Sequence, residues 1–340
     1  MKKTNLLAVL ALAATPAFLH AQTTSYSDIV GYQKTSLVVG LNPVGIPLLN
    51  NDLFKGPATS LSGSTLSLSS VSNAGALLTS GEPHYLEVYS GALKGDRFDI
   101  DTAATITAAN GTVILSNSSA NNTLAVGSIG TALDGATVAI RRHITLEKVQ
   151  SFVQGSLIGN NTPANADQIL IFNPNTQSFL TYYLRLDGVT WRGSTTGTTS
   201  QNKVPVPPGV GVFIKKNSAT VDLLASGSVR QNDFSLPFKS GLQLLSPGFP
   251  VAYSPSSLGA SAANGWTGNN TPASADQIQI FNTGSGTFAT YYLRLDGSTW
   301  RGTTTGTTPQ TSNNIVSDAS AFFVKRSSAD NSNVLLNPVQ

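Results

Sequence analysis

The chain has 340 residues, with 20 Lys and Arg against 17 Asp and Glu, three His and no Cys. Disulfides and thiolate chemistry are excluded. No basic field points to nucleic acid, because Lys2 and Lys3 belong to a leader and the rest of the chain is close to neutral. Charged residues are only 11% of the chain, so its polar surface rests on Ser, Thr, Asn, Gln and Gly, as in many exported β proteins.

The leader comes first. Lys2 and Lys3 precede an apolar run, Leu6–Ala14, and Ala21 is a small residue suited to cleavage before Gln22. This is the pattern of a signal peptide over 1–21, with a short signal helix. It implies Sec-type export to a periplasmic, cell-surface or extracellular location. No later apolar run is long enough for a membrane span. The remaining chain exceeds what one core usually serves, so two or three units are expected.

Strand signals dominate from there on. Gly40–Phe54 has a Gly, an apolar pair, a Pro and a second apolar stretch, a look shared by Gly241–Leu258. Glu82–Asp101 has the pattern of a hairpin. Its Asp96, Asp99 and Asp101 match no full calcium loop, and a solvated hairpin end suits them better. Ala136–Leu146 is a hydrophobic strand ending in a basic pair, Arg141-Arg142.

A long repeat follows. Residues 160–199 and 269–308 are identical at thirty of forty positions. A repeat near this length is a whole structural unit. Each copy opens with a strand, Asp167–Asn173 in the first, whose Ile169 and Ile171 face inward. Position 170 is Leu in one copy and Gln279 in the other. A buried site would not accept that exchange cheaply, so it belongs at the surface or at a contact one copy makes. Phe179–Leu186 alternates with period two, placing Leu180, Tyr182, Leu184 and Leu186 inward. Asp187-Gly188 is a turn dipeptide leading to a return strand at Val189–Arg192. Pro205, Pro207 and Pro208 mark an edge or a loop. Gly209–Ala219 then aligns with Ala319–Ala329 after a one-residue shift, both ending in a basic pair, Lys215-Lys216 and Lys325-Arg326.

The fold expected is therefore all-β: tandem related antiparallel β-sandwich-like units over 22–148, 149–231 and 232–340. The first is the most diverged and the second has a short head.

The candidate ligand-binding residues are Tyr183, Arg185, Trp191 and Arg192, with Tyr292, Arg294, Trp300 and Arg301 in the second copy. An outward Tyr beside a Trp makes a flat platform for a sugar ring, and two platforms give avidity. The competing reading packs these aromatics between sheets, with the arginines stacked on the indoles. Asp167, Asp276, Asp187 and Asp296 fit turn chemistry better than calcium. No metal site and no cofactor are implied.

Catalysis is poorly supplied. The mature histidines are His84 and His143, and the glutamates are Glu82, Glu87 and Glu147. Glu82 and Glu87 fall on opposite faces of one strand, unlike a glycosidase pair. No nucleophile elbow and no zinc spacing is present.

Ser27–Tyr32 (SDIVGY), Ile140–Leu146 (IRRHITL) and the ADQI-IFN…TYY…WR pattern of Ala166–Arg192 resemble a paralogous group of secreted, uncharacterised proteins of Verrucomicrobia and related bacteria. The resemblance implies export and supplies no catalytic residues. The expectation is a non-catalytic exported or cell-surface β protein, structural or self-associating. A carbohydrate-binding module with two equivalent sites is the alternative, and a secreted hydrolase stands third. Partners expected are polysaccharides or other surface proteins.

Overall fold

A computed structural model describes residues 29–195, 197–304, 306–318, 320–327 and 332–337. The signal segment lies outside the described residues. The architecture is all-β, built from antiparallel sheets, as the residue patterns imply.

Strands β1 (Val30–Leu37) and β2 (Gly40–Val44) open it. An inserted body follows: β3 (Asp52–Ser62), β4 (Thr65–Leu68), β5 (His84–Val88), β6 (Arg97–Ile100), helix α1 (Thr102–Ala108), β7 (Thr112–Ile114) and β8 (Thr137–Arg142). Its six strands form one sheet, ordered β6-β5-β8-β3-β4-β7. Leu66, Leu86, Phe98, Val113, Val138 and Ile140 fill its core.

The central repeat contains β9 (Ile144–Thr145), α2 (Leu146–Ser151), β10 (Val153–Gln154), β11 (Gln168–Asn173), β12 (Ser178–Leu184), β13 (Trp191–Gly193), β14 (Pro205–Val206), β15 (Val212–Lys216) and β16 (Val221–Ser228). The C-terminal repeat contains β17 (Phe234–Phe238), β18 (Gly241–Leu245), β19 (Gln277–Asn282), β20 (Thr287–Leu293), β21 (Trp300–Gly302), β22 (Phe322–Arg326) and β23 (Ser332–Leu336).

The strand pairing divides the chain differently from the boundary at 148. β2 pairs with β15 and β1 with β16, so residues 30–44 join the central repeat and not the inserted body. Sheet order β2-β15-β11-β12-β13 then matches β18-β22-β19-β20-β21 strand for strand. The likeness of Gly40–Phe54 to Gly241–Leu258 thus marks the head of each repeat. The central repeat looks short of a head because the inserted body separates its head from the rest.

The two large sheets meet face to face. Phe172 contacts Phe323 edge-on at 5.4 Å, and Phe213 contacts Phe281 at 5.3 Å. Phe172 corresponds to Phe281 and Phe213 to Phe323, so the contacts are reciprocal. That is the pattern of an isologous dimer interface within one chain. Phe213 and Phe323 approach each other at 6.1 Å near the pseudo-axis. Leu170 packs against this cluster, and Gln279 instead spans to Gln277 Oε1 at 2.7 Å. Position 170 is therefore at an inter-repeat contact that the Leu alone makes as a hydrophobe.

A buried charge cluster ties the inserted body to the segment joining the repeats. Glu87 is fully buried and meets Arg230 and Arg141. Arg141 also reaches Asp52 at 2.5 Å. Arg97 donates to the Ser235 carbonyl at 2.8 Å and covers the Phe234 ring. The acidic triplet is not a solvated hairpin end. Asp99 accepts from His143 Nε2, Ser119 and Asn121, Asp101 caps α1, and Asp96 is buried, which raises its carboxyl above the usual range.

Candidate functional site

Each repeat hairpin is set by its turn. Asp187 Oδ1 accepts from Val189 N and Thr190 N at 2.9 and 2.8 Å, and Asp296 Oδ1 accepts from Ser298 N and Thr299 N at 2.9 and 2.7 Å. These backbone donors, led by Thr190 and Thr299, hold both carboxyls down at about 2. Gly188 and Gly297 take φ of +70° and +72°, where a β-carbon is disfavoured. The turn is longer than the sequence suggests: the return strand starts at Trp191, and Leu186 and Val189 are exposed at the tip.

The aromatic platform does not form. Trp191 and Trp300 are 0% exposed, and Tyr183 and Tyr292 are 7% and 8% exposed. Leu184 pairs with Trp191, and Tyr183 pairs with Arg192. Side chains of directly paired residues share a face, and successive residues alternate. Trp191 therefore points into the core, on the opposite side of the sheet from Tyr183. Its Nε1 donates to Gln150 Oε1 at 2.7 Å, and Trp300 Nε1 donates to the Ala260 carbonyl at 2.6 Å. The expected Arg–indole stacking at Arg192 and Arg301 is absent for the same reason. The guanidinium that covers an indole is Arg326, over Trp266.

The turn reading of Asp167 and Asp276 is also corrected. Both are fully buried. Asp167 Oδ2 pairs with Lys216 at 2.5 Å, and Asp276 Oδ2 with Arg326 at 2.7 Å. Main-chain N–H groups of Ile158 and Asn217 satisfy the first carboxylate, and those of Thr267 and Ser327 the second. Burying a charge is tolerable only when it is paired and hydrogen-bonded in this way.

The second member of each basic pair is thus turned inward, and the first is turned out. Lys215 pairs in register with Gln168, Gln168 with Tyr183, and Tyr183 with Arg192. These four side chains form one row across four adjacent strands, about 14 Å long at the usual strand spacing. Lys325, Gln277, Tyr292 and Arg301 form the same row on the other sheet. The amide Nε2 of Gln168 is tied to the Pro163 carbonyl at 2.6 Å, and that of Gln277 to Pro272 at 2.7 Å. Arg185 and Arg294 extend the rows on the same face, and Arg294 Nη1 reaches Tyr292 Oη at 3.3 Å.

Among the described residues, no carboxylate lies in ion-pairing distance of Lys215, Arg185, Arg192, Lys325, Arg294 or Arg301. Lys34, Lys94, Arg141, Lys203, Lys216, Arg230 and Arg326 are ion-paired, while Lys55, Arg97 and Lys148 lie over aromatic rings and Arg142 and Lys239 donate to neutral oxygens. Half-buried guanidinium and ammonium groups in a fixed row suit sulfate, phosphate or carboxylate oxygens. Six of the eight sequence candidates lie on this face, the one that also carries Leu170, Phe172 and Phe213 toward the other repeat. Lys215, Lys325, Gln168 and Gln277 were missed. The alternation Ile214-Lys215-Lys216 carried a signal for the lysines, but the strand register was not readable.

The carboxylates and histidines elsewhere are engaged separately. Lys203 bridges Glu82 and Glu147. His143 Nε2 meets Asp99 Oδ1 at 2.8 Å, while His84 Nδ1 meets Thr102 Oγ1 at 3.1 Å. Among the described residues, no group of three His, Asp or Glu is placed to hold a metal ion, and no helix is long and apolar enough to cross a membrane. A cavity of about 260 Å³ lies where the three bodies meet, lined by Leu180, Tyr182, Val210, Pro237, Lys239 and Leu244 among others, and by no Asp, Glu, His, Ser or Thr. Comparison of the chain with family models, with curated proteins and with solved structures finds no match.

Proposed function

We propose that this is an exported, non-catalytic binding protein whose two cationic rows hold the acidic groups of a polysaccharide at the cell surface or outside it. The observation that carries the reading is the pair of identical Lys–Gln–Tyr–Arg rows, with no carboxylate beside their cations. A row about 14 Å long spans several sugar rings, and two rows on one body multiply the affinity for a polymer. The sugar would be gripped by the charges of the half-buried Lys and Arg at the ends of each row, not by stacking on the tryptophans. A glycan array carrying sulfated, uronic-acid and neutral polysaccharides tests it. Retention on the acidic members, weakened by salt, is expected. Equal retention on neutral members, or none on any member by folded protein, contradicts it.

A structural, self-associating role is the second reading, and the terminal strand β1 at the edge of its sheet favours it.

A further inference from the structure

β1 is the terminal strand of its sheet, ordered β1-β16-β10. Its partner β16 already exchanges both main-chain bonds of Ser228 with Leu49, at 3.0 and 2.8 Å. The register places Val30 opposite Ser228. Because main-chain groups alternate in direction along an antiparallel pair, Gly31, Gln33 and Thr35 bond to β16, and those of Tyr32, Lys34 and Ser36 point outward. The side chains on this edge are open to solvent: Val30 is 57% and Tyr32 74% exposed, and the Lys34 side chain is 66% exposed.

The C-terminal repeat contains the same edge, and there it is closed. Leu37 corresponds to Phe238, so Ser235 stands where Lys34 does. Ser235 N donates to the Gly95 carbonyl at 3.1 Å, and the Ser235 carbonyl accepts from Arg97. Pro237, at the place of Ser36, has no N–H to leave unpaired. The inserted body thus covers the edge of one repeat, and among the described residues nothing pairs with that of the other.

Gln33 gives a second, independent sign. It is buried at 6% exposure, and neither its Nε2 nor its Oε1 has a hydrogen-bond partner. An unsatisfied buried amide costs about 1–3 kcal/mol per polar group and is rare in native proteins.

We propose that β1 pairs antiparallel with β1 of a second copy of this chain, about a two-fold axis at Gln33. In that register Tyr32 lies opposite Lys34 of the partner subunit, and both have their main-chain groups turned toward the junction. The two Gln33 residues stand opposite each other at the axis, and seating the second copy turns each buried amide toward its counterpart, Nε2–H donating to Oε1. The Tyr32 ring sits beside the ammonium of the partner subunit's Lys34. The contact is self-complementary, as a two-fold interface requires, and joins two sheets through strand addition. It brings four cationic rows into one particle.

Sedimentation of the mature chain tests this across the micromolar range. A dimer is expected. Ser36→Pro copies the proline of the equivalent position in the C-terminal repeat, so it keeps the fold while removing an outward N–H. It weakens the dimer at least about tenfold, with circular dichroism unchanged. Gln33→Leu likewise weakens the dimer while leaving or raising the stability of the monomer. A monomeric wild-type chain, or a dimer that neither substitution weakens, overturns the proposal.

Discussion

The central repeat buries Lys216 against Asp167, and the C-terminal repeat buries Arg326 against Asp276, at the same place in the same sheet. Each carboxylate is held by two main-chain donors, and the environments differ in the cation and in the Ser327 hydroxyl that also donates to Asp276 at 2.8 Å. A lysine can shed its proton when its partner is lost, and an arginine cannot. The two repeats therefore share geometry but not the consequence of damage. Asp276→Ala leaves an uncompensated guanidinium and costs about 3–5 kcal/mol. Asp167→Ala costs less, by about 1 kcal/mol or more, because the cation left behind is an amine and not a guanidinium. Guanidinium unfolding of the two variants measures the gap, and equal losses break the distinction.

Where the repeats touch each other, the comparison predicts likeness. Phe213 and Phe323 lie close to the pseudo-axis and serve the same reciprocal cluster. Phe213→Ala and Phe323→Ala each cost about 3–5 kcal/mol. The double variant loses less than the sum, since the residues share partners. Additive losses in the same unfolding assay contradict a shared cluster.

The inserted body responds to acid in a way neither repeat does. Burial lowers His84 from 6.5 to about 4, and the neighbouring charge of Arg142 adds to it. Its folded value is depressed, so the unfolded chain binds the proton first. Stability is full above pH 6.5 and falls as pH drops from 6.5 toward 4. His84→Gln flattens that slope. A slope unchanged in the variant, read from thermal melts across this range, removes His84 as its source.

A smaller test concerns position 170. Gln279→Leu gives the C-terminal repeat the hydrophobe of its sister and stabilises by less than about 1 kcal/mol, while Leu170→Gln destabilises by a similar amount. Opposite signs in matched melts are expected. The same sign for both means the inter-repeat packing does not distinguish them.

Much of this was readable from residue order. Period-two alternation placed Ile169, Ile171, Tyr182 and Leu184 inward correctly, but it also placed Leu180 and Leu186 inward, and these are 44% and 67% exposed; turn chemistry gave Asp187-Gly188. What failed did so for long-range reasons. Residues 30–44 pair with strands more than 100 positions away, and nothing local marks a 52–142 insertion. Tyr183 and Trp191 are close in sequence, yet the hairpin register puts them on opposite faces. The buried partners of Asp167 and Asp276 lie beyond the conserved-looking block, 49 and 50 residues on, so a turn was the only local use for those carboxyls. The row itself needed four strands in register before Lys215 and Gln168 stood beside Tyr183.

Calorimetric titration with a sulfated or uronic-acid oligosaccharide tests the twin rows most directly. Two equivalent sites are expected in the wild-type chain, one after Lys215→Ala with Arg192→Ala, one after Lys325→Ala with Arg301→Ala, and none when all four are changed. A stoichiometry left at two by either pair of substitutions contradicts it.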